Sequence, residues 1–105
     1  MTKLDYRVTI LLGLSIPGST DAVPPRKVAA AVGDAFPDGF SMTAQTGGWR
    51  DIQTGEVIFE DSLAIVVYVD ADGIERARAL AATLRRVYRQ QAVGFVVERA
   101  NLEFV

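Results

Sequence analysis

One stretch of the sequence concentrates residue types that could bind a ligand or carry out chemistry. Between residues 47 and 62, two glycines precede Trp49 and Arg50, and Glu60 and Ser62 stand near the far end. A guanidinium presents a planar set of donors to a carboxylate or phosphate, and an indole presents a large apolar surface. With a tyrosine further along the chain, the candidate binding residues are Trp49, Arg50, Glu60, Ser62 and Tyr68.

The same stretch also fits a structural role. The segment Gln53-Thr54-Gly55-Glu56 is typical of a hairpin turn. In such a hairpin the paired glycines would form a bulge, Trp49 would pack over the sheet, and Arg50 would pair with an acidic residue, Glu60 or Asp61, on the facing strand. Because adjacent residues of a strand point to opposite faces, Glu60 and Asp61 do not converge on one substrate, and we expect no catalytic residues here.

Composition excludes several other chemistries. The 105 residues include no cysteine and no histidine, which removes disulfides, thiol nucleophiles, zinc fingers and histidine-based catalytic triads. Asp70 and Asp72 supply too few ligands for a hard cation, and either is a better candidate for the cap of a helix. We therefore expect neither a metal nor a cofactor.

A second helix, predicted to end near Gln90, carries a run of arginines. At 100° per residue, Arg78, Arg85 and Arg89 fall on its outer face. This face is either a solvated surface or an anion-binding surface. Since the chain has 11 basic against 13 acidic residues and lacks the aromatic pair of an RNA-binding sheet, we do not expect a nucleic-acid partner.

Hydrophobic periodicity predicts strands and helices in the order β-α-β-β-α-β. The predicted strands cover 6–14, 40–45, 57–59 with 63–69 after an acidic interruption, and 93–97 with a resumption at 102–105 left open; the predicted helices cover about 24–36 and 70–90. This order predicts one α+β, ferredoxin-like domain over residues 1–105, with a four-stranded antiparallel sheet and two helices on one face. Right-handed crossovers place the first and third strands in the centre, and a parallel α/β sheet is the alternative.

The face of such a sheet opposite the helices lacks cover from the chain itself. The two-residue period places Leu11, Val66, Tyr68 and Val96 on this face, an apolar surface on the order of a few hundred Å². We expect a second copy of the chain to cover it, which makes the protein a homodimer. The alternatives are that the hairpin around Trp49 folds over the face, that two sheets join edge to edge, or that the face stays exposed.

Four short motifs follow one another along the chain: Leu11-Leu12-Gly13-Leu14-Ser15, Phe36-Pro37-Asp38-Gly39-Phe40, Gly47-Gly48-Trp49-Arg50-Asp51 and Glu60-Asp61-Ser62. In this order they resemble an uncharacterised bacterial family of small domains of unknown function, with a Gly-x-Trp-Arg hairpin followed by a Glu-x-Ser strand start. The resemblance covers nearly the whole chain and implies an architecture but no activity. Members of that family are often secreted or lipid-anchored and often carry a cysteine near the C terminus. We expect this chain to differ in having no export signal, and its 105 residues include no cysteine.

The expected function is that of a small non-enzymatic binding or interaction module, with the hairpin around Trp49 and Arg50 as its ligand or partner surface. Its size suits an accessory protein of a phage or mobile element. One alternative is a small cofactor-independent enzyme of the dimeric α+β barrel type that uses Tyr68, Arg50 and Glu60. The other alternative is binding of anions or nucleic acid through the arginine face. The sequence singles out no particular protein or small molecule as the partner.

The expected location is the cytoplasm. Asp5 and Arg7 interrupt the N-terminal segment before the apolar run of a signal peptide could form. The longest apolar runs have the length of a strand and are far shorter than a membrane span, so we expect no membrane partner.

Overall fold

The strands and helices form the predicted α+β arrangement. The computed structural model describes residues 3–105. Its elements are β1 (Tyr6–Gly13), α1 (Pro25–Ala35), β2 (Ser41–Arg50), β3 (Val57–Val69), α2 (Ala71–Val87) and β4 (Gly94–Arg99). The strands pair antiparallel in the order β2-β3-β1-β4, which confirms the ferredoxin-like fold and the central position of β1 and β3. Met1 and Thr2, the first residues of the segment in which we expect no signal peptide, lie outside the described residues.

One apolar layer joins the helices to one face of the sheet. On β1, Val8, Ile10 and Leu12 are buried and alternate with partly exposed residues, because successive strand side chains point to opposite faces. From α1, Val28 and Val32 are buried one turn apart and belong to the same cluster. No helix within residues 3–105 is long and apolar enough to cross a membrane.

Asp70 fixes the beginning of α2. Its carboxylate accepts a hydrogen bond from the backbone N–H of Gly73 at 2.8 Å, the geometry of an N-cap. Asp72 instead lies in the first turn of the helix, where an acidic side chain is favoured by the helix dipole. Of the two predicted caps, Asp70 is therefore the one that forms.

β2 and β3 form a hairpin that is longer and more regular than predicted. Ser41–Arg50 pairs with Val57–Val66 without a break. The interruptions expected at the paired glycines and at the acidic residues 60–62 are therefore wrong. Both features are accommodated because the outer half of the hairpin, residues 46–61, is largely exposed and makes no demand for apolar side chains. We call this outer half the arm.

The last strand differs from its prediction at both ends. β4 covers Gly94–Arg99, and residues 102–105 form no strand. The backbone N–H of Ala100 donates to the carbonyl of Asp5 at 2.8 Å, which fixes the point where the C-terminal segment leaves β4. That segment then passes the end of the central strand β3, where Leu102 and Phe104 lie near Tyr68 and Val69.

Candidate functional site

The tip of the arm is ordered by hydrogen bonds. Arg50 donates from its guanidinium to the carbonyl of Gly55 at 2.6 Å, and the Asp51 carboxylate accepts from the backbone N–H of Gln53 at 2.8 Å. Gly55 has φ +77°, a conformation that glycine adopts without strain. Among the described residues Arg50 has no carboxylate partner, so the cross-strand ion pair of the structural alternative does not form.

Trp49 lies on the arm and does not pack over the sheet. Its Nε1 donates to the Glu60 carboxylate at 3.4 Å, while Thr46 Oγ1 donates to the neighbouring Asp61 carboxylate at 3.0 Å. The indole remains 52% exposed. The structure thus brings together two of the candidate residues, Trp49 and Glu60, on one exposed face of the arm.

The arm exposes several large apolar side chains. Besides Trp49, Phe59 is 73% exposed, and Ile52 at the tip and Val57 are also exposed. Aromatic side chains in this state are typical of protein interfaces rather than of a free surface. The arm is therefore a candidate contact surface. The Arg50 side chain on this surface is held by its hydrogen bond to the Gly55 carbonyl at the tip.

The sheet face opposite the helices carries the residues that the two-residue period placed there. We call it the open face. Register places Thr9 between Val66 on β3 and Val96 on β4, and Val96 is 39% exposed. At one end of this face, Arg7 and Glu98 form an ion pair at 3.2 Å.

The two ends of β3 separate the remaining candidate residues. Tyr68 lies eight residues from Glu60 on this strand, a distance of about 27 Å at ~3.4 Å per residue. Arg50 lies further still, because it pairs with Val57. Ser62 sits between them, opposite Gly13 of β1. Within residues 3–105, the single pocket that the enzyme alternative requires from Tyr68, Arg50 and Glu60 does not form.

Tyr68 instead lines a cavity at the end of the sheet remote from the arm. The cavity has a volume of about 500 Å³ and lies between the 36–40 segment, the end of β3 and the C-terminal segment. We call it the tail cavity. Its aromatic walls come from Phe36, Phe40, Tyr68 and Phe104, and its polar groups from Asp38, Ser41, Asp70 and Arg76.

Most residues of the tail cavity are absent from the candidate set drawn from the sequence. The signal that could have found them is the Phe36-Pro37-Asp38-Gly39-Phe40 motif, which we interpreted only as the end of a helix and the start of a strand. All five of its residues line the cavity. Phe104 and Arg76 carry no local signal, because only the tertiary fold brings them to this place.

The arginine face of α2 differs from its prediction. Arg78 is paired with Glu75 at 3.5 Å, and Arg85 donates to a backbone carbonyl at 3.3 Å. The helix ends at Val87, slightly before the predicted end near Gln90, and Arg89, with φ 52°, does not continue the helical face of Arg78 and Arg85. Anion binding by these three arginines stays a prediction. In the part of the chain that the structure describes, no group of three acidic, histidine or cysteine residues could hold a metal ion.

The fold and these surfaces define a small α+β protein of the ferredoxin-like class. The model of a family described as proteins of unknown function, DUF3574, matches residues 7–104, and the chain belongs to this family. The predicted membership of a family of unknown function is thereby confirmed. No curated protein is significantly similar to the chain in sequence.

Several solved structures share this fold at low sequence identity. A phage SAM lyase in complex with S-methyl-5′-thioadenosine has a TM-score of 0.70 and 17% identity, with 94% of this chain and 84% of the lyase covered. CutA from Synechococcus elongatus has a TM-score of 0.57 and 15% identity, with coverages of 96% and 81%. The GlnK–ATP complex of B. subtilis has a TM-score of 0.54 and 11% identity, with coverages of 91% and 82%. At these identities the comparisons establish the fold.

Proposed function

We propose that this chain is a single-domain, non-enzymatic binding module that forms a homodimer through its open face and offers the arm as a partner surface. The observation that carries the proposal is the open face, where Val96 and Tyr68 are each 39% exposed and Leu11 and Val66 are partly exposed. Burial of such a surface stabilises a complex by roughly 25 cal/mol per Å² before the costs of association.

The charges of the open face suit a second copy of the same chain. Where β3, β1 and β4 form this face, its two charged residues, Arg7 and Glu98, are already paired with each other. Two copies related by a two-fold axis therefore meet without net repulsion, and each presents the same patch to the other. A strongly charged partner would gain little from a face of this kind.

The arm supplies the second surface of the module. Trp49 is an exposed aromatic side chain on a hairpin whose tip is held by the Arg50–Gly55 hydrogen bond. Phe59 is exposed on the opposite face of the hairpin, because Trp49 pairs with its neighbour Ile58. A rigid aromatic anchor loses little conformational entropy when it binds, and tryptophan is enriched among the residues that dominate interface energies. We assign partner contact to Trp49 and Arg50, with Glu60 orienting the indole.

The comparisons support a binding role. The lyase and GlnK structures, which share this fold, each hold a small molecule. The similarity to a phage protein is in keeping with an accessory protein of a phage or mobile element.

The proposed interface is tested by a matched pair of substitutions on β4. Val96 and Val97 are neighbours with exposed fractions of 39% and 40%, but they point to opposite faces of the sheet. Val96→Lys places a charge in the open face and is expected to convert the dimer to a monomer. Val97→Lys is the control and is expected to leave the dimer intact. Native mass spectrometry and sedimentation velocity report the oligomeric state of each variant.

Two outcomes contradict the proposed interface. In one, both lysine variants remain dimeric, so that the contact lies elsewhere. In the other, both variants become monomeric with the same loss of stability, so that the effect is structural. Circular dichroism and thermal unfolding of each variant separate loss of fold from loss of association.

A second candidate function is an enzyme that acts on S-adenosylmethionine. The specific observation in its favour is the fold shared with a phage SAM lyase, together with the position of Tyr68 in the tail cavity. Incubation of the full chain with S-adenosylmethionine would release S-methyl-5′-thioadenosine, detected by chromatography, and Tyr68→Phe would slow the release. If no nucleoside is released above the uncatalysed rate, this candidate is rejected.

A further inference from the structure

We propose that the tail cavity binds an uncharged nucleoside, with a flat base between its aromatic walls and a sugar beside Asp38. The proposal concerns a different surface from the arm. The tail cavity adjoins the open face, because Val66 and Tyr68 belong to both. The test of the proposal measures nucleoside binding and not the oligomeric state, and its variants at Asp38 and Phe104 lie outside the strands that form the open face, so failure of one proposal is distinguishable from failure of the other.

The tail cavity has the size and the aromatic lining of a small-molecule pocket. A volume of about 500 Å³ falls within the ~300–1,000 Å³ of small-molecule pockets. Phe40, Tyr68 and Phe104 line it, and all three rings are exposed, by 36%, 39% and 87%. Rings left open to solvent around a concave space are suited to stacking on a flat base, which every nucleobase permits.

The rim of the tail cavity carries side chains that can form hydrogen bonds with a sugar. Asp38 and Ser41 line the cavity, and within residues 3–105 the Asp38 carboxylate has no ion-pair partner. A carboxylate is the acceptor that proteins commonly place against the hydroxyls of a ribose. The other carboxylate of the lining, Asp70, is already engaged as the N-cap of α2.

The charges of the cavity lining disfavour a phosphate group. The lining carries two carboxylates, Asp38 and Asp70, against one guanidinium, that of Arg76. Arg76 lies over the ring of Phe36, 4.7 Å from its centroid, and so helps to build the wall. The N-terminus of α2 would otherwise attract an anion, but the Asp70 carboxylate occupies it by accepting from Gly73. An uncharged ligand therefore suits the cavity better than its phosphorylated form.

Part of the lining of the cavity is held in place without a ligand. The backbone N–H of Gly39 donates to the carbonyl of Phe36 at 3.3 Å, which closes the turn that presents Asp38. The C-terminal segment that carries Leu102 and Phe104 is fixed at its start by the Ala100–Asp5 hydrogen bond at 2.8 Å. A cavity formed in advance lowers the ordering cost of binding.

Isothermal titration of the full chain with the common ribonucleosides and their 5′-monophosphates tests the inference. At least one nucleoside is expected to bind, and about tenfold more tightly than its monophosphate, since like charges brought together oppose binding. Phe104→Ala is expected to weaken nucleoside binding about fivefold or more through the lost stacking. Asp38→Asn is expected to weaken it and to reduce the discrimination against the monophosphate.

Matched controls come from the same chain. Phe59→Ala removes an exposed phenylalanine of the arm, and Asp34→Asn neutralises an exposed carboxylate of α1 outside the cavity. Both are expected to bind nucleosides like the unmodified protein. The inference is overturned if no ribonucleoside binds at millimolar concentration, if the monophosphates bind as tightly as the nucleosides, or if Phe59→Ala weakens binding as much as Phe104→Ala.

Discussion

At the scale of single residues, Gly33 and Gly73 show how the surroundings of a helical glycine decide its role. A Cβ added at Gly73 in α2 would lie 2.5 Å from the Cβ of Val69, closer than real Cβ atoms approach. A Cβ at Gly33 in α1 would meet Phe40 at 3.6 Å, an ordinary contact. Gly73 is therefore required by the packing of α2 on β3, whereas Gly33 is not required by its surroundings.

Alanine substitution at the two positions is expected to have opposite effects. Gly73→Ala lowers the free energy of unfolding by about 1–3 kcal/mol, because the new methyl group overpacks the contact with Val69. Gly33→Ala raises it by up to about 1 kcal/mol, because alanine favours the helix over the unfolded chain. Chemical denaturation measures both values. A Gly73→Ala variant as stable as the unmodified protein would contradict the packing described for α2, and a destabilised Gly33→Ala variant would contradict the ordinary contact described for α1.

The local role of a residue is easier to predict from the sequence than its hydrogen-bond partner. Asp70 capped α2 as one of two predicted candidates, because the preference for aspartate at an N-cap is local. The predicted acidic partner of Arg50 is wrong, because the guanidinium donates to a backbone carbonyl at the tip and not to an acidic side chain. The outcome of such a competition depends on the turn geometry, which the residue types alone do not specify.

At the scale of secondary-structure elements, β3 joins two regions with different energetics. Its inner half, with Ile65 fully buried, belongs to the core, whereas its outer half carries Phe59 at 73% exposure on the arm. Contacts made by the arm therefore contribute little to the stability of the domain. Side chains of the arm can therefore be substituted with little effect on the stability of the domain.

Truncation of one apolar side chain in each half of β3 tests this division. Ile65→Ala is expected to lower the free energy of unfolding by about 2–5 kcal/mol, the cost of a buried cavity. Phe59→Ala is expected to change it by no more than about 0.5 kcal/mol, as at other exposed positions. Urea unfolding of both variants gives the comparison. A loss at Phe59 that approaches the loss at Ile65 would show that the arm packs on the body of the molecule.

The hairpin was also the element that sequence analysis divided wrongly. Glycines and acidic residues are poor strand formers, so the interruptions predicted near residues 47 and 61 followed from intrinsic preference. The observed strands run through both places because the Ser41–Arg50 and Val57–Val66 segments pair along their full length. Cross-strand hydrogen bonds such as Thr46–Asp61 add to this pairing, and they become visible only when the register is known.

At the scale of the whole molecule, the fold followed from the sequence because its signal is distributed. The alternating residues of β1 and the helical stripe of α2 each encode a face, and the order of elements with right-handed crossovers leaves few topologies. The tail cavity could not be predicted in this way. Phe104 and Phe36 are far apart in sequence, and only the path of the C-terminal segment past the end of β3 brings them to one place.

The central claim is that the open face joins two copies of the chain. Its apolar centre and its internally paired charges at Arg7 and Glu98 are the observations that support this proposal. Each copy would still present its own arm, because the arm extends beyond the part of the sheet that β1 and β4 cover. A dimer of this kind would present two identical partner surfaces.

Sedimentation equilibrium of the unmodified chain over a wide concentration range tests this claim most directly. The account predicts a species of twice the 11.4 kDa chain mass, which Val96→Lys converts to a monomer and Val97→Lys does not. A chain that stays monomeric at every concentration, or a dimer that Val96→Lys leaves intact, would contradict it.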